Sequence, residues 1–159
     1  VHKLKKETLR VPPARLPEPE SETVRPPPLV RPSLAGNVAV LVSRDARPIS
    51  GICSDEGEGS KGMDHASFLA CPIIKADILI FADVQFLWDD ENMGRFMVSL
   101  EVFRRANPTS AVIVDASNSP LFKKLTKLWE EGKVNAIIDS PPGGGRAVEL
   151  GLEMLSILR

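Results

Sequence analysis

Four short apolar runs in this chain end in charged or hydroxyl-bearing residues, and any chemistry would sit at those ends. The groups are Ser43-Arg44-Asp45, then Asp83, then Asp115-Ala116-Ser117, and last the stretch from Asp139 to Arg146. Asp83 and Asp115, at neighbouring strand ends, could share one site. One of them would then have a raised pKa and could serve as a general acid. Separate, solvated carboxylates are the simpler alternative. Nucleophilic catalysis has less support. No GxSxG occurs, and neither His2 nor His65 lies in a nucleophile motif, so Ser117 and Ser119 read as loop or cap residues. Pro141-Pro142-Gly143-Gly144-Gly145-Arg146 precedes a helical pattern. Backbone N–H groups of Gly143, Gly144 and Gly145 could approach an anion there, with Arg146 as a forked partner. The run is neither GxGxxG nor GxxxxGK[ST], so a loop leading into a helix is the plainer reading. Cys53 and Cys71 form no CxxC pair and are expected to be buried, inert thiols. The spacing of Asp55, Glu56 and Glu58 fits no cation-binding loop.

These positions depend on the elements that carry them. Asn37 to Val42, Asp77 to Ala82, Ala111 to Val114 and Asn135 to Ile138 are continuous apolar runs suited to strands buried on both faces. Ser43 to Gly62 reads as a polar, Gly-rich loop, with a brief strand at Ile49 to Cys53. Met63 to Lys75 is expected to form a short helix ending near Pro72, with Phe68, Leu69 and Ile73 or Ile74 inward. Val84 to Asp90 reads as a loop in which Phe86 and Trp88 either anchor a partner or fold onto the core. Met93, Phe96, Met97, Leu100 and Phe103 recur at three- and four-residue intervals, the stripe of a helix stopped by Asn107-Pro108. Ser119-Pro120 reads as a cap and first helical residue, Gly132 as the terminator, and Ala147 to Leu158 as a last helix. Strands alternating with helices predict a mainly parallel sheet covered on both faces.

Eight of the fourteen prolines fall between Pro12 and Pro32. Proline fixes φ and removes a donor, so this stretch suits neither a helix nor a central strand. Residues 1–35 are expected to be a disordered tail or linker, and residues 36–159 the domain. No PxxP spacing occurs there, which favours linker over recognition peptide. The net charge of −1 and the lack of a dense basic stripe argue against nucleic-acid binding. No apolar run approaches the ~18 residues of a membrane span, and no signal peptide is evident, so a cytoplasmic location is expected.

The second half resembles a response-regulator receiver domain. The run Ala76 to Gln85 looks like the receiver strand ending in the phosphoacceptor aspartate, here Asp83. Phe103-Arg104-Arg105-Ala106-Asn107-Pro108 leads to Ala111 to Ser117, and Gly132 leads to Asn135 to Pro141, at similar spacing. The resemblance covers residues 76 to 159. It implies a doubly wound, mainly parallel five-stranded α/β sheet of flavodoxin-like, receiver-like form. It also implies a remnant pocket of Asp45, Asp83, Ser117 and Ser140. The departures concern the chemistry. Ser43-Arg44-Asp45 stands where a pair of acids would hold Mg²⁺, and Arg44 would put positive charge there. The switch hydroxyl falls on Ala116, beside Ser117, and the lysine falls on Ser140. Phosphoryl transfer is largely charge stabilisation, so the implied class is a pseudo-receiver used for protein interaction, with no catalytic residue, metal or cofactor. A protein partner is expected, with a homodimer open. The alternatives are a Rossmann-like nucleotide- or phosphate-binding domain using Gly143 to Arg146, and a true receiver phosphorylated on Asp83.

Overall fold

The computed structural model describes residues 14–15, 33–34, 36–47, 60–117, 119–139 and 145–159. Their elements are β1 (Ala14–Arg15), β2 (Ala39–Ser43), β3 (Ser60–Asp64), α1 (His65–Ala70), β4 (Ile78–Phe81) and a 3-10 turn (Val84–Trp88). After these come α2 (Asp90–Ala106), β5 (Ala111–Asp115), α3 (Phe122–Glu130), β6 (Ala136–Asp139) and α4 (Gly145–Leu158). The strands form one all-parallel sheet in the order β1-β6-β5-β4-β2-β3. Strands β3-β2-β4-β5-β6 are the doubly wound five-stranded arrangement of flavodoxin-like α/β folds, and two-residue β1 extends one edge. The chain reverses direction across the sheet between β2 and β4, the switch point beyond which doubly wound α/β folds generally place their ligands.

The central strands are apolar throughout because both faces are covered. Val40, Val42, Leu79, Phe81, Val112, Val114 and Ile137 face one core, with Phe68, Phe96, Phe103 and Leu125 from α1, α2 and α3. Ala39, Leu41, Ile78, Ile80, Ala111, Ile113, Ala136 and Ile138 face the other, with Val148, Met154 and Leu155 of α4. The period of two along each strand divides the set.

The helices start and stop where local chemistry directs. Asp89 caps α2 by accepting from the Glu91 N–H at 3.1 Å, and Arg104 and Arg105 lie in its last turn. Met93, Phe96, Leu100 and Phe103 of its stripe are buried, with Met97 packed beside them. Gly132, at φ 75°, ends α3, its N–H and that of Lys133 bonding back to Trp129 and Leu128 carbonyls.

Several expectations change. β3 occupies residues read as the end of a loop, 60–62, and the start of a helix, 63–64; it is an edge strand that is exposed or half-buried along its length, so it needs no apolar run. The helix after it is only His65–Ala70, with Phe68 buried and Ile73 69% exposed. Val84 to Trp88 is a 3-10 turn burying Val84 and Leu87. Ser119 does not cap α3 directly. Its Oγ accepts from the Leu121 N–H at 3.1 Å, and the helix starts at Phe122. Cys71 is exposed, since α1 ends just before it. Within the tail, Ala14–Arg15 pairs with β6. The strand expected at Ile49 to Cys53, the acidic stretch of Asp55 to Glu58 and Cys53 lie outside the described residues.

Candidate functional site

Buried Ser43 ends β2 and folds the following loop back on itself. Its Oγ accepts the Arg47 N–H at 3.1 Å and donates to Asp45 Oδ1 at 3.3 Å. The turn passes through Ala46 at φ 54°, left-handed backbone that a residue with a Cβ rarely adopts. Gly62 of the adjacent β3 lets this loop approach. A Cβ there would lie 2.2 Å from the Arg47 carbonyl oxygen and 2.8 Å from that of Ala46.

So held, Arg47 projects between two carboxylates. Its Nη2 is 3.2 Å from Asp83 Oδ2, and its Nε is 3.5 Å from Asp45 Oδ1. Asp83 follows β4 in the left-handed region, at φ 53° and ψ 50°. Its Oδ2 also accepts the Arg44 backbone N–H at 3.0 Å. The positive charge expected from Arg44 acts at this rim, where it adds to the lowering of the His65 pKa by burial, and a second cation joins it. Arg44 contributes a backbone donor, and Arg47 supplies the guanidinium.

Asp115, at the end of β5, is only 9% exposed. Its Oδ1 accepts from the N–H of Ser117 at 3.1 Å and from the Ser117 hydroxyl. Burial raises its pKa, against the lowering effect of those bonds and of Arg47, while the Asp83 charge adds to the rise. Asp115 thus feels the charges of Arg47 and Asp83, yet each carboxylate has donors of its own.

His65 forms the apolar wall beside them. Its ring stacks on Phe86 at 4.2 Å and on Phe81 at 4.9 Å between centroids. Nε2 donates to the Ala82 carbonyl at 2.8 Å. Burial, joined by the Arg44 charge, lowers the His65 pKa more than the Ala82 bond and the charges of Asp83 and Asp64 raise it. The imidazole is thus biased toward its neutral form, a structural donor sandwiched by phenyl rings. Phe86 folds onto the core side of this rim. Trp88, two residues on, is 65% exposed.

The structure brings together Asp45 and Asp83 through Arg47, and Asp115 with Ser117. Ser140, Gly143 and Gly144 lie outside the described residues, and Gly145 begins α4. Arg146 lies in the first turn of α4, its Nη1 3.6 Å from Glu149 Oε2 and 4.0 Å from Glu153 Oε1. That arrangement turns the guanidinium along its own helix. Among the described residues, no group of three or more His, Cys, Asp or Glu side chains is placed to hold a metal ion, and no helix is long and apolar enough to cross a membrane. Sequence reasoning missed Arg47 and His65. No motif marks either, and only the crossover of the sheet brings them to Asp83.

No protein-family model matches this chain, and no curated protein or solved structure does.

Proposed function

We propose that this domain is a non-catalytic, pseudo-receiver-like regulatory module that works by docking to a protein partner. One observation carries the reading: the Arg47 guanidinium lies 3.2 Å from Asp83, at the switch point of the sheet. A hard dication would need the same carboxylate oxygens, and Arg47 already neutralises part of their charge. With Arg47 half-exposed, the ion pair contributes little stability, about 0–1 kcal/mol. Its larger effect is on what the carboxylates at these strand ends can accept. A phosphoryl group moving onto Asp83 needs a metal to gather its charge, and a single guanidinium bonded to the acceptor oxygen does not supply that. Exposed Trp88, near the same rim, offers the kind of aromatic anchor that dominates protein interfaces.

Intact mass after incubation with acetyl phosphate and Mg²⁺ tests the reading, and the expected mass is unchanged. A stoichiometric phosphate adduct, lost in Asp83→Asn, would establish a phosphorylated receiver instead. A thermal-shift panel of nucleotides addresses the remaining class. Saturable stabilisation abolished by Arg146→Ala would move the function to the α4 terminus.

A further inference from the structure

His65 is the one histidine among the described residues, and histidine is the only side chain whose ordinary titration falls between about pH 5 and 8. It opens α1 and reaches across to the end of β4 and the 3-10 turn. A carbonyl oxygen can only accept, so the 2.8 Å contact with Ala82 places a hydrogen on Nε2. The neutral ring then keeps its lone pair on Nδ1, the atom that takes up a proton in acid. The ring centroids of His65, Phe81 and Phe86 form one cluster, 4.2 to 5.5 Å apart. Of the two phenyl rings, Phe81 is fixed. It is fully buried and packs on Phe96 at 4.2 Å and on Phe68 at 6.0 Å. Phe86 is half-buried and meets the cluster from the Val84–Trp88 turn.

That turn leaves β4 through the left-handed backbone of Asp83, and its far half is tied by hydrogen bonds. Asn92 Nδ2 donates to the Phe86 carbonyl at 3.1 Å, and Lys124 Nζ lies 3.5 and 3.3 Å from the Leu87 and Trp88 carbonyls. His65 holds the turn from the opposite side, through the face of Phe86. The charged groups acting on the imidazole are Asp64 just before it, Asp83 at the end of β4 and Arg44 on the loop after β2. The turn Val84–Trp88 carries no charged side chain, and Arg47, 3.2 Å from Asp83, takes up part of that carboxylate's charge. An imidazolium kept between these rings gives up hydration, a loss that the shared carboxylates do not restore.

We propose that His65 is a proton-sensitive clamp on the Val84–Trp88 turn: the neutral ring holds Phe86 in place, and protonation at Nδ1 sends the ring to water and frees the turn that carries Trp88. A ring freed to water titrates near its ordinary value of about 6.5, and the clamped ring titrates lower because of its burial. The clamp is therefore complete above the ordinary value, weakens as pH falls through it, and levels off below the clamped value. That Trp88 is a docking anchor rests on the functional reading above; release of the turn does not.

NMR of the full chain, with neither partner nor phosphate donor present, tests the clamp separately from the docking reading. Between about pH 7.5 and about 5.5, amide protection of Phe86, Leu87 and Trp88, corrected for the intrinsic pH dependence of exchange, should fall by about twofold to tenfold. The fall should track the titration of the His65 ring signals, with protection of Val112 and Val114 in β5 unchanged. His65→Gln keeps an amide donor toward Ala82 and His65→Phe keeps the ring, and neither takes up a proton. Each should remove the pH dependence, and either one that folds decides the point. A change below twofold in the wild type, or one out of step with the His65 ring, would overturn the proposal. So would the same pH dependence in a folded variant, or a parallel loss of protection at Val112 and Val114, which would mark unfolding of the whole sheet.

Discussion

Gly62→Ala links the packing of the sheet edge to the geometry of the candidate site. The new Cβ would sit 2.2 Å from the Arg47 carbonyl oxygen, against an ordinary contact of at least 3.4 Å, and the other close atoms are also backbone. No side chain can swing aside, so β3 and the 46–47 loop must separate by about an ångström. Overpacking of this kind costs about 1–3 kcal/mol. Restricting the unfolded chain returns about 0.4–1 kcal/mol, leaving a net destabilisation of about 1–2 kcal/mol. The displaced loop carries the Arg47 N–H away from Ser43 Oγ and the guanidinium away from Asp83. Urea denaturation gives the first quantity. Amide exchange of Arg44 and Arg47 gives the second, and both amides should exchange faster. Gly94→Ala is the matched control, because nothing lies within 4 Å of a Cβ there and the position is helical. It should stabilise by about 0.5–1 kcal/mol. Equal stability of the two variants would refute the steric argument. A destabilised Gly62→Ala with unchanged exchange at Arg44 and Arg47 would refute its coupling to the site.

On α4, a Cβ at Gly151 would lie 2.7 Å from the Ile78 Cγ2 methyl, so Gly151→Ala should destabilise by about 1 kcal/mol after its helical gain. A double-mutant cycle with Ile78→Ala should show coupling above about 0.5 kcal/mol. Asn135→Ala removes one oxygen that accepts from Arg104 at 2.5 Å and from the Val112 N–H at 2.8 Å. Leaving the buried Val112 N–H unmatched and the half-buried Arg104 guanidinium short of one acceptor should cost about 2–4 kcal/mol by urea denaturation. Asp77 is pulled upward by burial, but the bond from Arg159, the bond from the Val38 N–H and nearby positive charge outweigh this and lower its pKa. Its stabilisation should be complete above the unfolded-state value and fade as pH falls through the lower folded-state value; Asp77→Asn should flatten that part of the stability profile. Asp115 has the opposite sign. Asp115→Asn should stabilise the fold at neutral pH, and the advantage should shrink as pH falls through the raised folded-state value and the wild-type carboxyl becomes neutral.

The parts legible in the sequence are those whose burial writes a period into it. β4, β5 and β6 are continuous apolar runs because helices cover both faces, and α2 shows its stripe because one side alone meets the sheet. β3 left no such mark. Ser60-Lys61-Gly62-Met63-Asp64 is held by pairing to β2 rather than by side-chain burial, so nothing in its composition separates it from a loop. The aspartates at the strand ends were legible as positions, since a strand end can be read from where its apolar run stops. Their partners were not. Which cation meets Asp83 is decided by a left-handed turn at Ala46 and a close approach at Gly62, and neither is a property of local periodicity.

The two ends of the sheet divide the work. At the amino ends of the strands, polar side chains close backbone groups that the ladder leaves open. Asn107 donates to the carbonyls of Ile74 and Phe103 and accepts from the Ala76 N–H, while Arg104 bonds the Ser110 carbonyl. These bonds are satisfied in ordinary conformations and serve stability. At the carboxyl ends lie Ala46 and Asp83, both non-glycine residues in left-handed backbone. Such a conformation costs roughly 1–2 kcal/mol for a residue like alanine, and glycine at position 46 would avoid it. Strain of this kind persists where the surroundings over-determine it. Here it lies on the two segments that set the Arg47–Asp83 contact, an ion pair too exposed to return that energy as stability. The geometry of the strand-end cluster is therefore fixed at a cost to the fold that its own ion pair does not repay.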